Sequence, residues 1–392
     1  MNLKKEYKSI AMLCLTVFAV FFAIWTFTGK WFWSVEPYNS YVLQAEAWKN
    51  GRLSLSENYS HLEIAEFCGK YYISFPPFPS YVMFPFVLLG FNNCDGLTSL
   101  ISALMGAVYA FKIFKHFRYD DRRAILFSLL LTVGSNWLFT AQVAWVWFIA
   151  QNMAFTLSLM AIYYALKKRG ISLVLWACAV GCRPFQALYL PLILYLLYKR
   201  DLTIIKNLKV YWKSIAVTAL VALSYMTLNF CRFGNPLEFG HNYLPEFKEA
   251  QNGQFSVVYI IGNLKSLIRL PEISFTSAWQ YQAFDGTNIF IISPIFIAYF
   301  IYTVYAFVKK PYRRGILILI FSTVSVQLLC ITAHKTMGGS QFGNRYTNDI
   351  LPLVFLSVGY ALPKSTEYDK FCGILLMFGF AVNAIGSVLY YM

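Results

Sequence analysis

Apolar runs long enough to cross a bilayer recur along this chain, and they constrain it more than any other feature. They cover roughly 9–29, 96–114, 124–141, 144–166, 214–231, 287–308, 315–333, 348–362 and 371–391. A further apolar stretch, 171–198, is interrupted at Arg183-Pro184 and reads as two short helices, giving about eleven spans in all. About twenty apolar residues match the hydrocarbon thickness, and only helices or closed barrels can span it. Charged residues make up 13% of the chain, against about a quarter in soluble proteins. The reading is an all-α polytopic membrane protein, a single integral-membrane domain over 1–392.

The net charge of +15 reflects topology. With the N-terminus cytoplasmic, the clusters at Lys4–Lys8, Lys112–Arg123, Lys167–Arg169, Lys199–Lys213, Lys309–Arg314 and Lys364–Lys370 share one side. That side holds 22 of 33 basic residues and 6 of 18 acids, as the positive-inside rule requires. No nucleic-acid partner is implied. The first run lacks a small-x-small cleavage site and ends in Trp31-Phe32-Trp33, so it reads as an uncleaved anchor.

Two extracytoplasmic loops, 30–94 and 232–286, are too long to be simple connectors. In the first, Tyr41, Val42, Ala45 and Trp48 recur at helical spacing between Tyr38 and Asn50, with Gly51 as a stop. Residues 71–79 (YYISFPPFP) are extended, because each proline drives its predecessor out of the helical region. Ser80–Leu89 is too short to span. In the second loop, Val257, Val258, Ile261, Leu264, Leu267 and Ile268 mark one face of an interfacial helix.

None of the proposed spans carries an Asp or Glu in its interior, and twelve acids crowd the outer loops and interfaces. Ion-coupled transport favours acids near the midplane, so chemistry is expected at the outer surface. Arg183 sits in a turn whose flanking helices are both tethered to the basic side. An arginine at membrane depth costs about 2.5 kcal/mol or more. It therefore calls for an anionic partner, a lipid-linked phosphate or a headgroup reached by snorkelling. Pro184 at a first helical position leaves N–H groups aimed the same way. Gly338, Gly339 and Gly343 permit a backbone that approaches an anion, with Arg345, Lys335 and His334 supplying charge. An ordinary turn with Arg345 paired to Asp349 is the alternative.

The succession Trp33 to Ala45 (WSVEPYNSYVLQA), Gly69 to Pro79 (GKYYISFPPFP), Gly181-Cys182-Arg183-Pro184, Phe233 to Gly240 (FGNPLEFG) and Gly338 to Pro352 (GGSQFGNRYTNDILP) resembles the GT-C superfamily of integral-membrane glycosyltransferases. The likeness is to the protein mannosyltransferase and aminoarabinose transferase branch, over nearly the whole chain. It implies sugar transfer from a polyprenyl-phosphate carrier to an acceptor (glycan, lipid or protein) on the outer face of a plasma (inner) membrane. The family's acidic general base follows the first span, where this chain has Val35-Glu36-Pro37; Glu36 inherits that role. A helix-dipole acid preceding Pro37 is its alternative. Glu63, ahead of the Gly-Lys-Tyr-Tyr segment, is the second candidate, and a solvated loop acid is its alternative. Arg183, Arg345 and Lys335 are donor-phosphate candidates. His61, Tyr71, Tyr72, Glu238, His241 and Asp349 are candidate substrate contacts, and Trp279, Tyr281 and Asp285 candidate sugar contacts.

No cofactor is expected. The histidines are scattered and CxxC and HExxH are absent, so no protein-only metal site is expected, while a carboxylate-bound divalent cation stays compatible with the sequence. Cys68 and Cys94 share the first outer loop, where a disulfide is conceivable if that face is oxidising. The competing function is a lipid or oligosaccharide flippase without transferase chemistry.

Overall fold

The computed structural model describes residues 3–271, 273–275, 279–281, 286–363 and 365–392. Helix α1 (Leu3–Thr28) is followed by α2 (Ser40–Lys49), a hairpin of β1 (Ile64–Phe67) and β2 (Lys70–Ile73), and α3 (Phe78–Leu88). Next come α4 (Asp95–His116), α5 (Asp121–Leu131), α6 (Trp137–Ala141) and α7 (Val146–Leu166). Helices α8 (Ile171–Val180) and α9 (Leu190–Leu197) flank a 3-10 turn over Pro184–Tyr189, and α10 (Ile204–Phe233) follows. The second loop contributes α11 (Pro245–Lys248), α12 (Ile260–Ile268) and the strand pair β3 (Ile273–Phe275) and β4 (Trp279–Tyr281). The chain ends with α13 (Ile289–Ile292), α14 (Ile295–Lys309), α15 (Arg314–Thr332), α16 (Leu351–Ala361) and α17 (Glu367–Tyr391).

This is an all-α polytopic membrane fold. Among the described residues, six helices (α1, α4, α7, α10, α15 and α17) are long and apolar enough to cross a bilayer. The other five expected spans are shorter or broken. The run 124–141 is not one helix: it divides into α5 and α6 around Thr132–Asn136. Ser128, Thr132 and Ser135 hydroxyls each donate to the carbonyl four residues back, a local competition that bends helices. The bend also carries a close contact, since a Cβ on Gly379 of α17 would overlap the carbonyl of Gly134. The run 287–308 breaks at Ser293-Pro294, where the proline excludes helical geometry from its predecessor.

The contacts divide the chain into two compact units. One contains Met1–Trp31, Ala103–Gln142 and Val257–Met392; the other contains Phe32–Ser102 and Val143–Ser256. In the first, the basic loops are tied by Lys115–Asp121 at 2.5 Å and Arg123–Asp369 at 2.7 Å. Asn263 on α12 donates to the Thr332 and His334 carbonyls at 2.9 and 2.7 Å, capping α15. In the second, α7 packs along α8, α2 along α3, and Asn152 of α7 donates to Ser99 of α4.

Candidate functional site

In the second unit the site begins with an inversion of the usual burial order. Val35 is 80% exposed and Glu36 only 4% exposed. A buried carboxylate needs donors, and Trp145 supplies one: its indole Nε1 donates to Glu36 Oε2 at 2.8 Å. Two residues on, Trp147 Nε1 donates to Glu63 Oε1 at 2.9 Å. Both indoles stand at the N-terminus of α7, a long helix whose first N–H groups favour negative charge nearby. The Tyr38 ring lies between them, 5.1 Å from Trp145 and 5.0 Å from Trp147. The Val146 amide donates to the Tyr38 carbonyl at 3.0 Å, which fixes this segment to the helix start.

The hairpin carries Glu63. Its loop, Cys68-Gly69, has φ of 50° and 68°, the left-handed pair that a tight two-residue hairpin turn demands. Ser74 Oγ donates to the Glu63 carbonyl at 2.8 Å, and a His61 ring nitrogen meets the Pro37 carbonyl at 3.0 Å. His61 thus ties the Glu63 segment to the Glu36 segment. Tyr71 and Tyr72 take opposite faces, as strand neighbours must. Tyr71 packs towards the core that holds Tyr38 and Trp147. Tyr72 instead joins Phe233 and Tyr243 in a separate aromatic cluster.

Arg183 stands at the head of the 3-10 turn with extended backbone (φ −141°, ψ 111°), as the following proline requires. Its guanidinium lies 5.9 Å over the Phe185 ring. The turn is fixed from behind by Gln186, which accepts from Ser158 of α7 at 3.0 Å and whose carbonyl accepts from Trp176 at 2.8 Å. The Phe78 amide donates to the Gly181 carbonyl at 2.9 Å, joining α3 to the same corner. Tyr41 of α2 links these parts electrostatically. Burial holds its phenol well above the usual value, Cys182 and Glu63 push the same way, and Arg183 opposes them. Glu36, His61 and Glu63 therefore meet at the start of α7, and Arg183 heads a turn that Gln186 ties to the same helix through Ser158.

Glu238 closes its own turn, accepting from the Gly240 amide at 2.6 Å and from Asn242 at 2.7 Å. Gly240 has φ +109°, and a Cβ there would press on Phe233, Ser74 and Ala65. His241 Nδ1 meets the Ser74 carbonyl at 3.3 Å, so this loop braces the hairpin that carries Glu63.

In the first unit, the segment 338–349 is buried from Gln341 onward and shaped by side-chain amides. Arg345, 6% exposed, donates through Nε to the Gly338 carbonyl at 3.0 Å and lies 4.8 Å over the Tyr346 ring. Its amide donates to Gln341 Oε1 at 2.7 Å. Asn136, at the break between α5 and α6, grips the loop at two points. It accepts from the Asn344 amide at 2.9 Å and donates to the Phe342 carbonyl at 3.2 Å. Gly343 between them has φ +77°, and a Cβ there would run into the Asn136 amide. Asn348 donates to Thr140 at 3.0 Å, Asn344 to the Thr287 carbonyl at 3.2 Å, and Asn383 to the Ile292 carbonyl at 2.7 Å. Asp349 is buried, with its carbonyl accepting from Gln327 at 3.2 Å. Lys335 follows His334, whose Nδ1 is 2.7 Å from the Thr336 carbonyl.

Trp145, Trp147, Tyr41 and Asn136 were not among the expected site residues. The signal available was Trp-Val-Trp at the start of a span, and an asparagine inside an apolar run. Cys68 and Cys94 are both free thiols. No group of three or more metal-ligating side chains occurs among the described residues. Asp285 lies outside the described residues, and of Trp279 and Tyr281 only the backbone is described.

No family model matches this chain, and no curated protein matches it. Among solved structures it is similar to the crystal structure of ArnT from Cupriavidus metallidurans bound to undecaprenyl phosphate. The TM-score is 0.55 at 13% identity, over 97% of this chain and 75% of that one. The fold is like that of ArnT. At that identity the likeness is one of fold, and it spans the expected resemblance from end to end.

Proposed function

We propose that this protein transfers a sugar from a polyprenyl-phosphate carrier to an acceptor on the extracytoplasmic face of a plasma membrane, with its N-terminus cytoplasmic. The observation that carries the reading is the convergence of Glu36 and Glu63 on paired indole donors at the start of α7. The polyprenyl carrier is supported by the solved neighbour, which is bound to undecaprenyl phosphate.

In this reading Glu36 is the general base, with Glu63 as the second choice. The acceptor oxygen attacks the anomeric carbon from the face opposite the phosphate, so configuration inverts. Its proton passes to the Glu36 carboxylate as the new glycosidic bond forms. The bond from the anomeric carbon to the phosphate oxygen breaks, and its electron pair leaves with the polyprenyl phosphate. Arg183, in the same unit as the two acids, is assigned to the phosphate, where a fixed cation stabilises charge that grows in the transition state. His61 and Tyr71 are assigned to substrate contact beside the two acids, and His241 and Glu238 to bracing. The step as written uses no nucleotide.

The test is mass spectrometry of envelope glycans from cells carrying wild-type protein, Glu36→Gln or Glu63→Gln at equal membrane abundance. Removing a general base costs about 10²-fold or more, so the Glu36→Gln glycans should resemble those of cells lacking the protein. If both variants leave the glycans unchanged, as a flippase would, the reading fails.

A further inference from the structure

The turn joining α14 to α15 reads Lys309-Lys310-Pro311-Tyr312-Arg313-Arg314, four cations with no acid among them. Two of the four are used by the fold. Lys310 Nζ donates to the Ala361 and Leu362 carbonyls, each at 3.0 Å, and Arg313 donates to the Tyr360 carbonyl. These carbonyls end α16 and lack intrahelical donors, so the two cations staple the hairpin to that helix.

The other two are placed differently. Arg314 Nε donates to the Phe307 carbonyl at 2.8 Å, and its guanidinium lies 5.3 Å over the Phe307 ring. Lys309 is exposed at the end of α14. Phe307 is also a wall of a groove of about 240 Å³ between α14 and α15, lined by apolar side chains apart from Tyr299 and Thr303. Phe300, Val304 and Val308 continue that wall on α14, and Ile318 and Phe321 face it from α15. Val308 adjoins Lys309, so the charged turn closes one end of the groove. Val304 and Val308 are 64% and 61% exposed, which leaves the groove open along its side.

We propose that this groove is a binding site for an anionic phospholipid of the surrounding bilayer. One acyl chain lies between α14 and α15, and the headgroup phosphate sits on Arg314 and Lys309. An apolar slot of this kind takes a hydrocarbon chain without unmet hydrogen bonds. The cation pair at its mouth selects net negative charge, and no acid in the turn offers a partner to the ammonium of a zwitterionic headgroup. The guanidinium is already held by its bond to Phe307, so little ordering remains for the lipid to impose. This site is independent of the proposed transfer reaction.

The full-length protein, reconstituted in nanodiscs of equal parts phosphatidylglycerol and phosphatidylcholine, tests it by native mass spectrometry of retained lipid. Each basic residue near a membrane surface is worth about fivefold in affinity for an anionic lipid. Wild type should retain phosphatidylglycerol preferentially. The double variant Lys309→Gln/Arg314→Gln should lower that preference by an order of magnitude, and Val304→Trp, on the exposed wall, should reduce retention of both lipids. Lys206→Gln/Lys209→Gln on α10 should change neither. The proposal is overturned if the first double variant keeps the wild-type preference, or if the α10 variant loses as much. Displacement of the retained lipid by equimolar undecaprenyl phosphate would assign the groove to the carrier and overturn it as well.

Discussion

The Glu36–Glu63 neighbourhood and the Gly338–Asp349 segment hold their charged groups by opposite means. In the first, side chains hold side chains: two indoles at the start of α7 each donate a hydrogen bond to a carboxylate. In the second, side-chain amides hold backbone. Asn136, Gln341 and Asn344 fix the path of the loop, and Arg345 follows from that path. A side-chain contact can be removed while the fold around it stays intact. A buried amide clamp cannot, because its removal strands backbone donors and acceptors in an apolar interior. The first region should therefore be separable into stability and chemistry, and the second should not.

The largest effect is expected where backbone is clamped. Asn136→Ala removes the acceptor of the Asn344 amide and a donor to the Phe342 carbonyl, and a stranded buried group costs roughly 1–3 kcal/mol. The variant's melting temperature in detergent should fall by many degrees, with residues 338–349 losing protection from hydrogen exchange. Normal protection there would break the comparison from this side.

An intermediate effect is expected where an indole orients a carboxylate. Trp147→Phe removes one charge-assisted hydrogen bond, about 1.5–3 kcal/mol if fully felt, yet keeps the aromatic packing on Tyr38. Sugar transfer should drop by about tenfold while the melting temperature moves far less than in Asn136→Ala. Equal losses of stability in the two variants would erase the distinction between the regions.

The smallest effect on stability belongs to Tyr41→Phe. The Tyr41 hydroxyl is buried with no hydrogen-bond partner among the described residues, so deleting it should leave stability unchanged or raise it by about 1 kcal/mol. Set beside that, a several-fold loss of transfer would place the hydroxyl on substrate, and unchanged transfer would confine the chemistry to Glu36 and Glu63. Differential scanning fluorimetry and the glycan readout, run on the same membranes, separate these outcomes.

Much of the architecture was legible because it rests on local rules. The helix expected over Tyr38–Asn50 is Ser40–Lys49, and a helix covers Val257–Ile268 where one was expected. The interruption at Arg183-Pro184 falls where the proline put it. Hydropathy missed the breaks within 124–141 and 287–308, because it measures transfer into lipid. It is blind to hydroxyls bonding their own helix and to a serine whose Oγ accepts from the Asn136 amide. The hairpin at Ile64–Ile73 was missed beyond its extended second half, since its turn uses a cysteine at positive φ, an uncommon choice.

Taken alone, the sequence determined the solvent of this protein, the helices long enough to cross it, and the two long loops in which most of its acids gather. Those depend on composition and spacing within a few turns of chain. Only tertiary structure decided that Glu36 and Glu63 meet neighbouring indoles, that Tyr71 and Tyr72 part company, and that an asparagine in a broken helix shapes the loop of Arg345. These pairings join residues tens to hundreds of positions apart. Their partners are chosen by which buried polar groups must find one another once water is excluded, and no local pattern records that choice.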